Sequence, residues 1–135
     1  MISNQDEVIK HLKEKCSQIG IELDVAQFYG SRGKYTPFEE QALFVSRADI
    51  LIGIHGAGLN MFHFLPFNSV VIELHKGTVA NKNSENYVNH IKEGAYLTMS
   101  VSASARSLDL GKTWGILEQG IRKWSQLVPS QSTAP

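Results

Sequence analysis

Apolar and polar positions in this chain recur at two different periods. From residue 4 to 19, Val8, Ile9, Leu12, Cys16 and Ile19 return every three or four positions, which predicts a helix with one apolar face. Ser3 followed by Asp6 and Glu7 marks its start, and Gly20 stops it. The run IELDVAQFY, 21–29, shifts towards alternation with β-favouring side chains and ends in the turn-rich GSRGKYTP, which predicts a strand. Thr36, Pro37 and Glu39 then supply an N-cap, a first-turn proline and a capping-box partner for a second helix, which carries Phe38, Ala42, Leu43 and Val45 to about Ala48.

ADILIGI and SVVIEL, 48–54 and 69–74, are apolar without alternation, as in strands covered on both faces. The chain between them has room for a short crossover helix from Gly58 to Leu65, halted by Pro66. SENYVNHIKEG reads as a helix, AYLTMSV as a fourth strand and SASARS as a connector. From Leu110, the residues Trp114, Leu117, Ile121, Trp124 and Val128 recur at alternating steps of four and three. A coiled coil shares that spacing, but the stripe is short and contains Gly111, Gly115 and Gly120, so a helix docked on the core is expected. VPSQSTAP reads as a disordered tail, which makes 1–128 one domain and 129–135 its tail. Alternating helices and strands predict an α/β, Rossmann-like architecture, a mainly parallel sheet of about four strands with flanking helices, because crossovers through helices are the common way to join parallel strands.

At 135 residues and 42% hydrophobic, the chain can support one core. Lys plus Arg and Asp plus Glu number 13 each, so no overall field draws the molecule to nucleic acid or to an anionic membrane. Cys16 is the sole cysteine, which excludes an internal disulfide and a cysteine-based zinc site. No apolar stretch reaches the roughly 18 residues of a membrane span, and the polar start is unlike a signal peptide. As written, the chain carries no targeting signal and is expected in the cytoplasm.

The chemistry concentrates in GIHGAGLNMFHFLP, 53–66. A strand, a small-residue turn and a helix start converge there, an arrangement that gathers unpaired backbone N–H groups around an anion, with phosphate the natural guest. In open α/β sheets ligands bind beyond the carboxyl ends of the strands, where this loop lies. The dinucleotide fingerprint G-x-G-x-x-G places its third glycine on Met61, and the P-loop pattern finds Phe28 and Tyr35 where it needs glycine and a hydroxyl residue. His55-Gly56-Ala57-Gly58 is similar to the HGGG-type oxyanion loop of esterases, but the chain has no G-x-S-x-G to present a nucleophile.

The segment FEEQALFVSRADILIGIHGAGLNMFHFLPFNSVVIEL, 38–74, resembles glycosyltransferase family 61, which includes protein O-GlcNAc transferases of animals and xylosyl- or arabinosyltransferases of plants. The Glu-Gln pair, the A-D strand, His-Gly-Ala-Gly-Leu, the Phe-Leu-Pro turn and Val-Ile-Glu-Leu occur in the family's order. The resemblance implies the carboxyl-terminal, donor-binding half of a GT-B fold, inverting transfer from a nucleotide sugar such as a UDP-sugar, and no obligatory metal or other cofactor. It also implies an ER or Golgi lumen setting if the chain is part of a eukaryotic member.

A metal-free site must supply positive potential itself, so the diphosphate is placed against the N–H groups of Gly56, Ala57, Gly58 and Leu59, with Asn60 as a further donor. A β-carbon at Gly58 would obstruct the approach. His55 donates to phosphate or sugar, or else pairs with nearby main chain. Glu73 accepts from the ribose hydroxyls, or else has a structural partner, since buried carboxylates need one. Arg32 and Lys34 stand on the ligand side, as diphosphate contacts or as a solvated loop. Phe62, Phe64 and Phe67 read as core. No catalytic base is assignable, and a GT-B acceptor half does not fit in this length, so transfer to a glycan or protein acceptor needs a second domain. A noncatalytic interaction module using the Trp114 and Trp124 stripe is the alternative. An exposed apolar stripe would also drive homo-oligomer formation.

Overall fold

A computed structural model describes residues 3–25, 37–54, 59–76, 82–102, 104 and 106–127. The elements run α1 (Gln5–Gln18), α2 (Phe38–Ser46), β1 (Ile50–Ile54), a 3-10 helix (Leu59–Phe64), β2 (Val70–Lys76), α3 (Lys82–Asn86) leading into a π-helical turn (Tyr87–Ile91), β3 (Ala95–Val101) and α4 (Leu110–Leu127). Among the described residues the sheet has three strands in the order β1-β2-β3, all parallel. With helices on both faces this is an α/β, Rossmann-like architecture.

Strand alternation divides the core in two. Val70, Ile72 and Leu74 of β2 face α1 and α4, where they pack with Val8, Leu12, Cys16, Ala95, Leu108 and Leu117. Val71 faces the other way, into a cluster of Val45, Met61, Phe62, Leu65 and Val88 beneath α2, the 3-10 helix and the π turn. The α4 stripe holds over the described residues: Trp114, Ile121 and Trp124 pack half-buried against the first cluster and Leu117 is buried within it, while Val128 lies outside the described residues. Asp109 caps α4 by accepting from the Lys112 amide at 2.8 Å. Gly120 lets α4 approach the sheet, since a β-carbon there would sit 2.6 Å from Ile72 Cδ1.

α1 ends as its glycine foretells. Gly20, at φ 76°, allows the Ile21 amide to reach back to the Cys16 carbonyl at 2.8 Å and the Gly20 amide to reach that of Ser17 at 3.2 Å, a Schellman closure. One expectation is corrected. Residues 21–25 form no strand, although Ile21 and Leu23 turn towards the core while Glu22 and Asp24 stay exposed; the rest of that expected strand, 26–29, lies outside the described residues. The short crossover helix expected after β1 is present, and it is 3-10 in form. Six residues have to carry the chain back along a sheet of short strands, and 3-10 geometry rises about 2.0 Å per residue against 1.5 Å for α. The Thr36 cap and the 129–135 tail also lie outside the described residues; α2 starts at Phe38, with the Pro37 carbonyl accepting from the Glu40 and Gln41 amides.

Candidate functional site

The carboxyl edge of the sheet is where the sequence concentrates its polar residues. β1 delivers the chain to residues 55–58, and Leu59 resumes it in the 3-10 helix. His55, Gly56, Ala57 and Gly58 lie outside the described residues, as do Arg32 and Lys34. Of Leu59 and Asn60 the backbone alone is described, as the first residues of that helix.

Glu73 is the site residue whose surroundings are in view. In the parallel register Gly53 pairs with Glu73 and Glu73 with Thr98. Paired residues of parallel strands project from the same face, so this row crosses the sheet on the side of the 3-10 helix and π turn. One step towards the carboxyl edge, His75 pairs with Ser100; one step back, Val71 pairs with Tyr96. The result is a polar column on an otherwise apolar face.

An ionisable group cannot remain there without partners. Glu73 is 5% exposed and His75 1%. The Tyr96 hydroxyl donates to Glu73 Oε1. His75 Nε2 lies 3.2 Å from the same oxygen, in contact with it but not aligned as a hydrogen bond. Tyr96 is itself anchored, because its amide donates to the Asn89 side chain of the π turn at 3.0 Å. Of the two alternatives for Glu73, a structural partner is thus present among the described residues, in the form of Tyr96 and His75.

Tyr96 and His75 were not legible as site residues. Nothing local links Tyr96 to Glu73, 23 residues earlier; only the β2–β3 register does. His75 follows Glu73 by two, the strand spacing that places both on one face, and that signal was available. Phe62 is core, at 4% exposed, as expected, whereas Phe64 at 39% and Phe67 at 65% are not. Phe64 instead meets Phe38 edge to face at 5.4 Å between ring centres, and Lys92 Nζ lies over Phe67.

An open depression between the end of α1 and residues 21–24 is lined by Lys13, Ser17, Glu22 and Asp24, all exposed. It is remote in the sequence from the loop and brings no buried polar group together. Among the described residues no cluster of His, Cys, Asp and Glu is arranged to hold a metal ion, and no helix is long and apolar enough to cross a membrane.

Comparison with known proteins places the loop in a family. The description Glycosyltransferase 61 matches residues 1–72, ending one residue before Glu73. EGF domain-specific O-linked N-acetylglucosamine transferase of Gallus gallus is 38% identical over 74 residues, which is 55% of this chain and 13% of the relative. No solved structure matches the chain. The family match takes in α1, α2, β1, the glycine loop and the start of β2, more than half of the 135 residues, and the chain belongs to glycosyltransferase family 61.

Proposed function

We propose that this chain binds the nucleotide-sugar donor, a UDP-sugar, of an inverting glycosyltransferase, and that it corresponds to the carboxyl-terminal half of a GT-B fold. The observation that carries the reading is the position of His55-Gly56-Ala57-Gly58: inside the family match, at the carboxyl end of a parallel strand, directly before a helical turn. The backbone amides of Gly56, Ala57, Gly58 and Leu59, with Asn60 and His55 beside them, hold the diphosphate, while Glu73 accepts from the ribose. Because the following helix is 3-10 and only six residues long, the converging amides contribute more than the helix dipole.

In the transfer itself an acceptor hydroxyl oxygen attacks the anomeric carbon as its bond to the diphosphate oxygen breaks. The hydroxyl proton passes to a base, and the nucleoside diphosphate leaves with the bonding pair. Amides aimed at the diphosphate stabilise charge that grows as that bond breaks, so they favour the transition state over the bound donor. The name of the chicken relative supports N-acetylglucosamine as the sugar. The alternative of an interaction module built on the tryptophan stripe is less well supported, since Trp114 and Trp124 face the core.

Calorimetry of the folded chain with UDP and UDP-GlcNAc tests the reading, and saturable binding is expected. A well-folded sample that takes up neither ligand at millimolar concentration overturns it. Gly58→Val locates the site: it is expected to weaken UDP binding about tenfold or more without a matching loss of thermal stability. Unchanged affinity in that variant removes the loop from the donor site.

A further inference from the structure

The pairing of Glu73 with Tyr96 and His75 has a use beyond satisfying a buried charge. We infer that Tyr96 and His75 are positioning residues that hold the Glu73 carboxylate in orientation for the two ribose hydroxyls of the nucleotide. The inference rests on the donor reading above.

Glu73 and His75 project from one face of β2 near its carboxyl end, the end at which β1 enters the glycine loop. The Tyr96 hydroxyl and His75 Nε2 converge on one oxygen, Oε1. A carboxylate has acceptor positions on both oxygens, beyond the one that the Tyr96 hydroxyl uses, and can therefore accept from two neighbouring hydroxyls. The Tyr96 hydrogen bond and the adjacent imidazole restrict rotation of the group, which two-point recognition of a cis diol requires. The Asn89 side chain accepts from the Tyr96 amide and so ties the backbone of β3 at this residue to the π turn.

The row itself leaves an approach. Directly across from Glu73 on β1 stands Gly53, so the sheet bears no side chain between Glu73 and the strand that carries the loop. Glycine within a strand often marks the place where a ligand or another chain comes close to the backbone. A nucleotide bound at the carboxyl end of β1 brings its ribose towards the Gly53–Glu73 row, where β1 adds no side chain of its own.

The test separates ribose recognition from folding and from phosphate binding. Affinities for UDP and for 2′,3′-dideoxy-UDP are measured by calorimetry on the full chain and on Tyr96→Phe, His75→Gln and Glu73→Gln, with circular dichroism melts on each. The wild-type chain is expected to prefer UDP by about tenfold or more, because the dideoxy ligand leaves the carboxylate unanswered. Glu73→Gln is expected to remove most of that preference and Tyr96→Phe to reduce it about threefold or more, with dideoxy-UDP affinity unchanged. His75→Gln gives the same readout at the other partner. A network that only stabilises the fold would weaken both ligands together and leave the ratio intact. A preserved ratio in folded Tyr96→Phe and His75→Gln overturns the inference while leaving the donor site standing. Absence of binding by the wild-type chain overturns the donor reading and this inference together.

Discussion

At the scale of single residues, two positions set limits that the apolar pattern does not show. Gly94 precedes β3, and a β-carbon there would run into the Ser69 carbonyl oxygen, with the carbonyl carbon at 3.2 Å. That carbonyl is occupied, since it accepts from the Ala95 amide at 3.1 Å, while the Gly94 amide bonds Val88 at 2.9 Å. Backbone cannot give way as a side-chain tip does, so Gly94→Ala is expected to cost about 2 kcal/mol or more, seen as a lower urea midpoint. The other position is Cys16, where burial pushes the thiol above its ordinary pKa. Native protein is therefore expected to react with iodoacetamide far more slowly than protein unfolded in urea. The same shift has a sign for stability. Above about pH 8.5 the unfolded chain releases the thiol proton while the folded chain keeps it, so this contribution is full below that pH and is lost as pH rises through the native value. Cys16→Ala is expected to flatten that alkaline decline in urea titrations. Glu73 shows what reading residues one at a time can reach: its need for a partner was evident from charge and strand position, but the partner's identity was not.

At the scale of elements, periodicity identified what packs, and it was less able to say what pairs. β1, β2, β3, α1 and α4 all fall where their patterns place them, because each carries its own apolar face or run. IELDV shows the difference. Ile21 and Leu23 face inward as alternation predicts, yet no ladder forms over 21–25, since alternation records which side meets the core and not whether a neighbouring strand is available. The 3-10 crossover and the π turn answer to distance and closure between strands, which composition does not encode. A further link joins elements far apart in the chain. Asn4, before α1, donates from Nδ2 to the Leu108 carbonyl and accepts the Leu108 amide on Oδ1, each at 2.9 Å. Asn4→Ala removes both bonds and leaves two main-chain groups of a buried residue unpaired, for an expected loss of about 1–3 kcal/mol in chemical denaturation. Asn4→Asp keeps the acceptor and is expected to lose less from the Leu108 amide, while it sets a carboxylate against the carbonyl.

At the scale of the whole molecule, the proposed site supplies one side of a reaction. In that proposal the loop amides stabilise the leaving group, while orienting the acceptor hydroxyl and taking its proton need other groups; the chain matches 13% of its chicken relative. Positioning of reactants alone is worth about 7 kcal/mol or more in favourable cases. These 135 residues on their own are therefore expected to bind UDP-GlcNAc without transferring it, with slow donor hydrolysis as the most activity seen. A radiolabelled-donor assay with polypeptide and oligosaccharide acceptors checks this, and brisk transfer by the chain alone would refute it. The Asn4–Leu108 clamp and the cluster that unites Val8, Leu12 and Cys16 with Leu108 and Leu117 also govern timing. The face of α1 packs with Val70, Ile72 and Leu74 of β2 and also with Leu108 and Leu117, so its packing is complete only once the ribosome has made α4. The amides of α1 are therefore expected to gain their full protection from solvent exchange in the same step as those of α4.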